Sequence, residues 1–158
     1  MYFDSFIACG GRATRLRPLS LFLPKPLFPV GQFRLIDYAL HLAREGQDVT
    51  FSLGYSDTGE VLHKYLLDLS YSNFIFDKTP CAGAQSLSEF VKKCNSNHIL
   101  IMPGDFVLDK FDLEKFWDFH LSHAFGISVL TVPKKDYGGY LSYDGSQVSP
   151  TSIYFARK

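Results

Sequence analysis

Residues 8 to 27, ACGGRATRLRPLSLFLPKPL, hold two glycines, three arginines and a lysine in twenty positions, directly behind the apolar run Phe6, Ile7, Ala8. Paired glycines let a ligand approach the backbone closely and leave amide N–H groups free to point at it. The cations make that ligand an anion, and phosphate suits both features. Gly10 and Gly11 supply amides, Thr14 a hydroxyl donor and Arg15 a planar fork that matches phosphate oxygens, while Arg12 and Arg17 either join it or face water. The stretch is not a P-loop, since no Gly-Lys-Ser/Thr follows, and it lacks the G-x-G-x-x-G of dinucleotide folds. Lys25 stands between Pro24 and Pro26, which predicts a lysine held in one extended backbone geometry. A second candidate lies in ILIMPGDFVLD, where Asp105 follows the apolar run 99–102 and the bend Pro103-Gly104. A carboxylate there can take a hard divalent cation together with phosphate oxygens, as Mg2+ is usually bound, or serve as an ordinary turn aspartate.

Positioning such groups requires a scaffold, and the pattern predicts one. Short β-type runs at Phe3–Ala8, Val49–Leu53, Asn73–Phe76, His98–Met102 and Ile127–Val132 alternate with stretches of helical period. Val61, Leu62, Tyr65, Leu66 and Leu69 share one helix face behind Asp57 and Glu60, which are spaced like a capping box. Leu113, Phe116, Trp117, Leu121 and Ala124 repeat the pattern after Asp112, and Leu35–Arg44 reads as a helix ended by Gly46. Alternation of this kind implies an α/β fold, a Rossmann-like three-layer sandwich. Its mostly parallel sheet carries helices on both faces, and its crossovers are expected to be right-handed. The last residues, with Asp144-Gly145 between a Tyr-rich run and Ile153–Phe155, predict a C-terminal hairpin at a sheet edge. In such sheets ligands bind beyond the carboxyl ends of the strands, where both candidate segments fall.

Composition narrows the function classes. Sixteen basic and sixteen acidic residues leave no global field for nucleic acid or an anionic membrane, so any anion site is local. The chain is 46% hydrophobic with no run approaching the roughly 20 residues of a membrane span. Its 158 residues suit a single domain, residues 1–158. Three cysteines without a CxxC pair, and a start interrupted by Asp4, lead us to expect no zinc site, no signal peptide and a reduced, cytoplasmic setting. His120 and His123 read as packing and surface residues, and Asp109 and Asp112 as neighbours of the magnesium candidate or, for Asp112, a helix cap. Phe106, Trp117 and Tyr140 are core or an exposed patch for another chain.

Taken in order, the first strand, GGRATRLRPLS, PKPLFPVG, RLIDYAL and the later Gly-Asp resemble the sugar-1-phosphate nucleotidyltransferases over essentially the whole chain. The resemblance implies transfer of a nucleotidyl group from an NTP to a sugar 1-phosphate, with Mg2+ as cofactor and pyrophosphate as the second product. It assigns Gly10, Gly11 and Thr14 to the nucleotide, Arg15 to the triphosphate tail, Lys25 to the α-phosphate and Asp105 to the metal. It also suggests Gln85, in PCAGAQSLSEF, as a reader of the base edge; Ser86 and Glu89 at capping-box spacing offer a plain helix start instead. YFARK resembles the segment that touches the sugar phosphate, which points to Lys158.

Departures from the family pattern are equally specific. Ala13 stands where a glycine precedes the Thr-Arg pair, Cys9 replaces an alanine, and Arg157 stands where a glutamate is expected. A chain with only the N-terminal, nucleotide-binding part of the family, lacking the C-terminal sugar-binding part, is expected to be either a nucleotidyltransferase or a non-catalytic nucleotide-binding or assembly subunit. An unpaired sheet edge would favour homo- or hetero-oligomers.

Overall fold

The computed structural model describes residues 1–54, 56–77, 83–108, 111–133, 141–143 and 146–158. The expected strands form: β1 (Asp4–Cys9), β4 (Val49–Gly54), β5 (Asn73–Asp77), β6 (His98–Pro103) and β7 (Ile127–Pro133). Two short strands, β2 (Pro29–Val30) and β3 (Phe33–Arg34), make a separate ribbon about Gly31, which has φ +64°. At the C-terminal end, β8 (Leu141–Tyr143) and β9 (Ser146–Arg157) pair antiparallel, as expected of a hairpin; the Asp144-Gly145 pair itself lies outside the described residues. The seven-stranded sheet runs β5-β4-β1-β6-β9-β7, with β8 on β9. Strands β5, β4, β1 and β6 are parallel, and β9 is antiparallel to both β6 and β7. β9 therefore lies inside the sheet rather than at its edge, which corrects the expected position of the hairpin. Ile153 and Phe155 on it are fully buried, so burial of its apolar residues drives the insertion.

Among the described residues four α-helices cover the sheet: α1 (Leu35–Ala43), α2 (Asp57–Asp68), α3 (Gly83–Lys93) and α4 (Leu113–Ser122). Alternation along β1 separates the two faces. Phe3 and Ile7 join α1, α2 and α4 in one core, which includes Ile36, Leu40, Leu62, Leu66, Phe116 and Trp117. Phe6 points the other way and packs with Ile75, Ile99, Phe90 and Cys94 under α3. The fold is α/β with helices on both faces, as predicted. The crossovers are not uniform in hand, however. Those through α1 and α4 lie on one face and travel in opposite directions across the sheet, so they have opposite hands.

Local chemistry explains the helix starts. Ser56 rather than Asp57 caps α2, its Oγ accepting from Gly59 N at 3.2 Å. Asp112 caps α4 as expected, accepting from Lys115 N at 2.9 Å. Ser86 lies inside α3, which begins at Gly83, so the Ser86/Glu89 capping box does not form; Glu89 pairs with Lys93 at 2.5 Å. Lys25 opens a single 3-10 turn, Lys25–Leu27, closed by Leu27 N to Pro24 O at 2.9 Å, so it is not extended as the prolines suggested. Burial of Pro26 and Leu27 pulls that turn against the core. Trp117 is core, in ring contact with Phe3 and Phe155, while Tyr140 lies outside the described residues.

Candidate active site

The strand order fixes where a ligand can sit. From β1 the chain moves through β4 to β5 on one side, and from β5 it crosses to β6 on the other. The switch point is thus between β1 and β6, and the crevice beyond their carboxyl ends is the expected binding place. Register pairs Ala8 with Pro103, and Gly104 N donates to Ala8 O at 2.9 Å, which brings the Asp105 segment beside the Gly-Gly loop.

A cleft of about 340 Å³ opens there, lined by Gly11, Ala13, Thr14, Arg15, Lys25, Asp105 and their neighbours. Lys25 Nζ lies 2.7 Å from Asp105 Oδ2, both side chains about one-third exposed. Segments 80 residues apart therefore place one cation and one carboxylate at the same point. Thr14–Leu16 forms a 3-10 turn entered through Ala13, whose φ of 46° and ψ of 40° lie in the left-handed region. That conformation carries Arg15 to the rim, where it is exposed; among the described residues neither it nor Arg12 nor Arg17 has an ion-pair partner. The Cys9 thiol, partly buried in the cleft wall, is pushed well up by burial and by the Asp105 charge.

The two glycines divide. Gly11 has open space where a side chain would be, so a ligand can reach its backbone. A β-carbon on Gly10 would overlap Asp77 Oδ2 and approach Ser52 Oγ at 3.6 Å; close packing within the protein, not a ligand, explains this glycine. Asp77 ends β5, is 7% exposed, and accepts from Ser52 Oγ at 2.7 Å and from Ser86 Oγ. Nothing in the sequence distinguished it from any strand-end residue.

Gly10 is absent from the cleft lining, and two further predicted residues, Gln85 and Lys158, are not brought to it either. Gln85 is exposed on the first turn of α3. Lys158 lies at the opposite end of the sheet: His98 pairs with Arg157, and Lys158 donates to Cys94 O at 2.6 Å. The antiparallel course of β9 carries Lys158 to the amino end of β6, whereas Asp105 follows the carboxyl end. The structure therefore does not bring Lys158 to the cleft.

Other clusters lack catalytic geometry. His120 is fully buried, its Nε2 3.1 Å from His98 Nδ1 and its Nδ1 2.8 Å from Ser128 Oγ. Burial, with His98, Arg157 and His123 nearby, lowers its pKa to about 4. It is a packing residue. No group of three or more His, Cys, Asp or Glu among the described residues could hold a metal, and Cys81 and Asp109 lie outside them. A larger hollow of about 600 Å³ beside α1 is lined mainly by apolar and aromatic residues such as Phe33, Tyr38, Phe106 and Phe111, with Asp37, His41 and Arg44 among them, and contains none of the predicted site residues. No helix among the described residues is long and apolar enough to cross a membrane.

Comparison with known proteins identifies the family and the fold. Residues 5–143 match the family model for nucleotidyl transferase. A D-glycero-alpha-D-manno-heptose 1-phosphate guanylyltransferase of Aneurinibacillus thermoaerophilus is 25% identical over 142 residues, 87% of this chain and 60% of that protein. A mannose-1-phosphate guanyltransferase of Candida albicans is 34% identical over 133 residues, 79% of this chain and 36% of that protein. The chain thus spans between about a third and three-fifths of the length of these relatives. A solved structure of a candidate glucose-1-phosphate thymidylyltransferase from Bacillus anthracis, in complex with sucrose, superimposes with a TM-score of 0.79 over 98% of this chain and 71% of that one. At 20% identity that likeness speaks for the fold. With the loop, the switch-point cleft and the match over residues 5–143 in agreement, the chain belongs to the nucleotidyl transferase family.

Proposed function

We propose that this chain binds an NTP in the β1/β6 cleft and transfers its nucleotidyl group to a sugar 1-phosphate, releasing pyrophosphate. The observation that carries the reading is the meeting of Lys25 and Asp105 at 2.7 Å in a cleft edged by Gly11, Thr14 and Arg15. In-line attack on an α-phosphorus needs positioning and neutralisation of charge passing to the leaving group. Gly11 offers its backbone amide without steric obstruction, Arg15 an exposed guanidinium for the triphosphate tail, and Lys25 a cation for the α-phosphate. Asp105 suits Mg2+, which commonly uses one or two carboxylates plus substrate phosphates rather than an all-protein cage. A partly exposed carboxylate facing a cleft, with no three-carboxylate cluster among the described residues, fits that pattern. Bound there, the metal would supply charge neutralisation at the phosphates. Lys25 and Asp105 hold each other until then, keeping both side chains directed at the cleft.

The relatives' names make GTP with mannose or heptose 1-phosphate the first substrates to try. The reading places the protein in the cytoplasm, where Cys9 and Cys94 remain free thiols. A second reading, a nucleotide-binding assembly subunit that associates with itself or a related chain, is favoured by one feature: Ala13 at positive φ in the phosphate loop. Pyrophosphate release by the purified chain with Mg2+, across NTPs and sugar 1-phosphates, separates the two. Release by one pair that Asp105→Asn abolishes supports transfer. Nucleotide binding without release supports the subunit, and a folded chain that does neither refutes both.

A further inference from the structure

Asp77 is a buried carboxylate for which the proposed transfer has no use. It is 7% exposed and belongs to the lining of neither the 340 Å³ cleft nor the 600 Å³ hollow. Burying a carboxylate is costly unless its oxygens are satisfied, so a fold retains one where its contacts are specific. Here the contacts join three separate elements. Oδ2 accepts from Ser52 on β4 at 2.7 Å and fills the space of a side chain at Gly10, while Oδ1 accepts from Ser86 on α3. Gly10 is confined from a second direction as well, since a β-carbon on Gly54 would come within 3.1 Å of Gly10 O. Gly11, whose backbone faces the cleft, is the next residue in the chain.

The geometry points to Asp77 as a positioning residue for the nucleotide: by fixing Gly10 against β4 and α3, it sets where the Gly11 amide stands in the cleft. This rests on the nucleotidyltransferase reading above. It makes Gly10 and Asp77 one unit, in which the glycine is required by the carboxylate rather than by the phosphate. A purely structural Asp77 would alter stability and leave nucleotide affinity of the folded protein unchanged.

The test is a double-mutant cycle on the full chain: native protein, Gly10→Ala, Asp77→Ala and the double variant. Each is titrated with a fluorescent GTP analogue and Mg2+, and its folded fraction is checked by urea unfolding. Both single variants are expected to weaken nucleotide binding by about tenfold or more, since displacement of a positioning group by an ångström is enough for that. The double variant is expected to bind no worse than the weaker single one, because the added methyl enters the space the carboxylate leaves. Should Asp77→Ala fail to fold, Ser86→Ala removes one donor only and is expected to weaken binding while the chain stays folded. Native-like affinity in folded Asp77→Ala or Ser86→Ala, or independent addition of the two losses, overturns the inference and leaves the nucleotidyltransferase reading intact. A native chain that binds no nucleotide overturns both, and that result is visible before any variant is made.

Discussion

Replacing Ala13 with glycine should make this protein more stable. Ala13 has φ 46° and ψ 40° at the entry to the Thr14–Leu16 turn. An L-residue in that region has its β-carbon against the following carbonyl, at a cost of about 1–2 kcal/mol. Glycine escapes the clash and loses about 0.5–1 kcal/mol of it through greater freedom in the unfolded chain. The net gain is ~0.5–1 kcal/mol, which for a chain of this size raises Tm by roughly 1–4 °C. Urea unfolding at matched m-values and a thermal scan read the effect directly. Ala13→Val supplies the opposite sign, since a β-branched residue at positive φ is a genuine outlier. If Ala13→Gly lowers stability, contacts of the methyl group outweigh backbone strain, and the reasoning from φ is refuted. The same substitution tests the loop's purpose: relief of strain that also tightens nucleotide binding would show that the alanine hinders phosphate approach.

Two further outcomes are expected. The His120 pKa of about 4 lies below the ordinary 6.5, because burial and neighbouring His98, Arg157 and His123 disfavour its cation. The unfolded chain therefore binds the proton first: stability is full above pH 6.5, falls by up to about 3 kcal/mol as pH drops toward 4, and urea midpoints at pH 7.5 and 5 measure it. A flat profile, or the same slope in His120→Gln, would contradict this. Phe155, fully buried with ring contacts to Phe3, Phe116, Trp117 and His120, should cost about 3–5 kcal/mol as Phe155→Ala, and a loss under about 1 kcal/mol in equilibrium unfolding would show that β9 does not anchor α4.

The strand and helix pattern was legible because apolar periodicity is a local property: β1, β4, β5, β6 and α4 fall within a residue or two of the expected ends. The convergence of Lys25 and Asp105 was readable through the order of motifs, and the switch point supplies its physical cause. What escaped was non-local. The tie between Asp77 and Gly10 joins residues 67 positions apart, and neither has a neighbouring signal that announces it. The place of β9 depends on which strand edge is free, so Lys158 could not be located from the residues beside it. Ala13 shows the converse: its identity alone departs from the family pattern, and the structure adds the positive φ that gives the departure an energy.

The insertion of β9 between β6 and β7 also orders events during synthesis. β7 is made before β9 yet has no neighbour in the sheet other than β9 among the described residues. As the chain emerges, β5, β4, β1 and β6 can assemble with α1, α2 and α3, while α4 and β7 wait for residues 146–157 to fill the gap beside β6. Two bare edges, on β6 and β7, face each other until then. A nascent chain stalled before residue 146 would hold a four-stranded sheet with an open flank, which is a natural point for a chaperone to engage or for two stalled chains to pair.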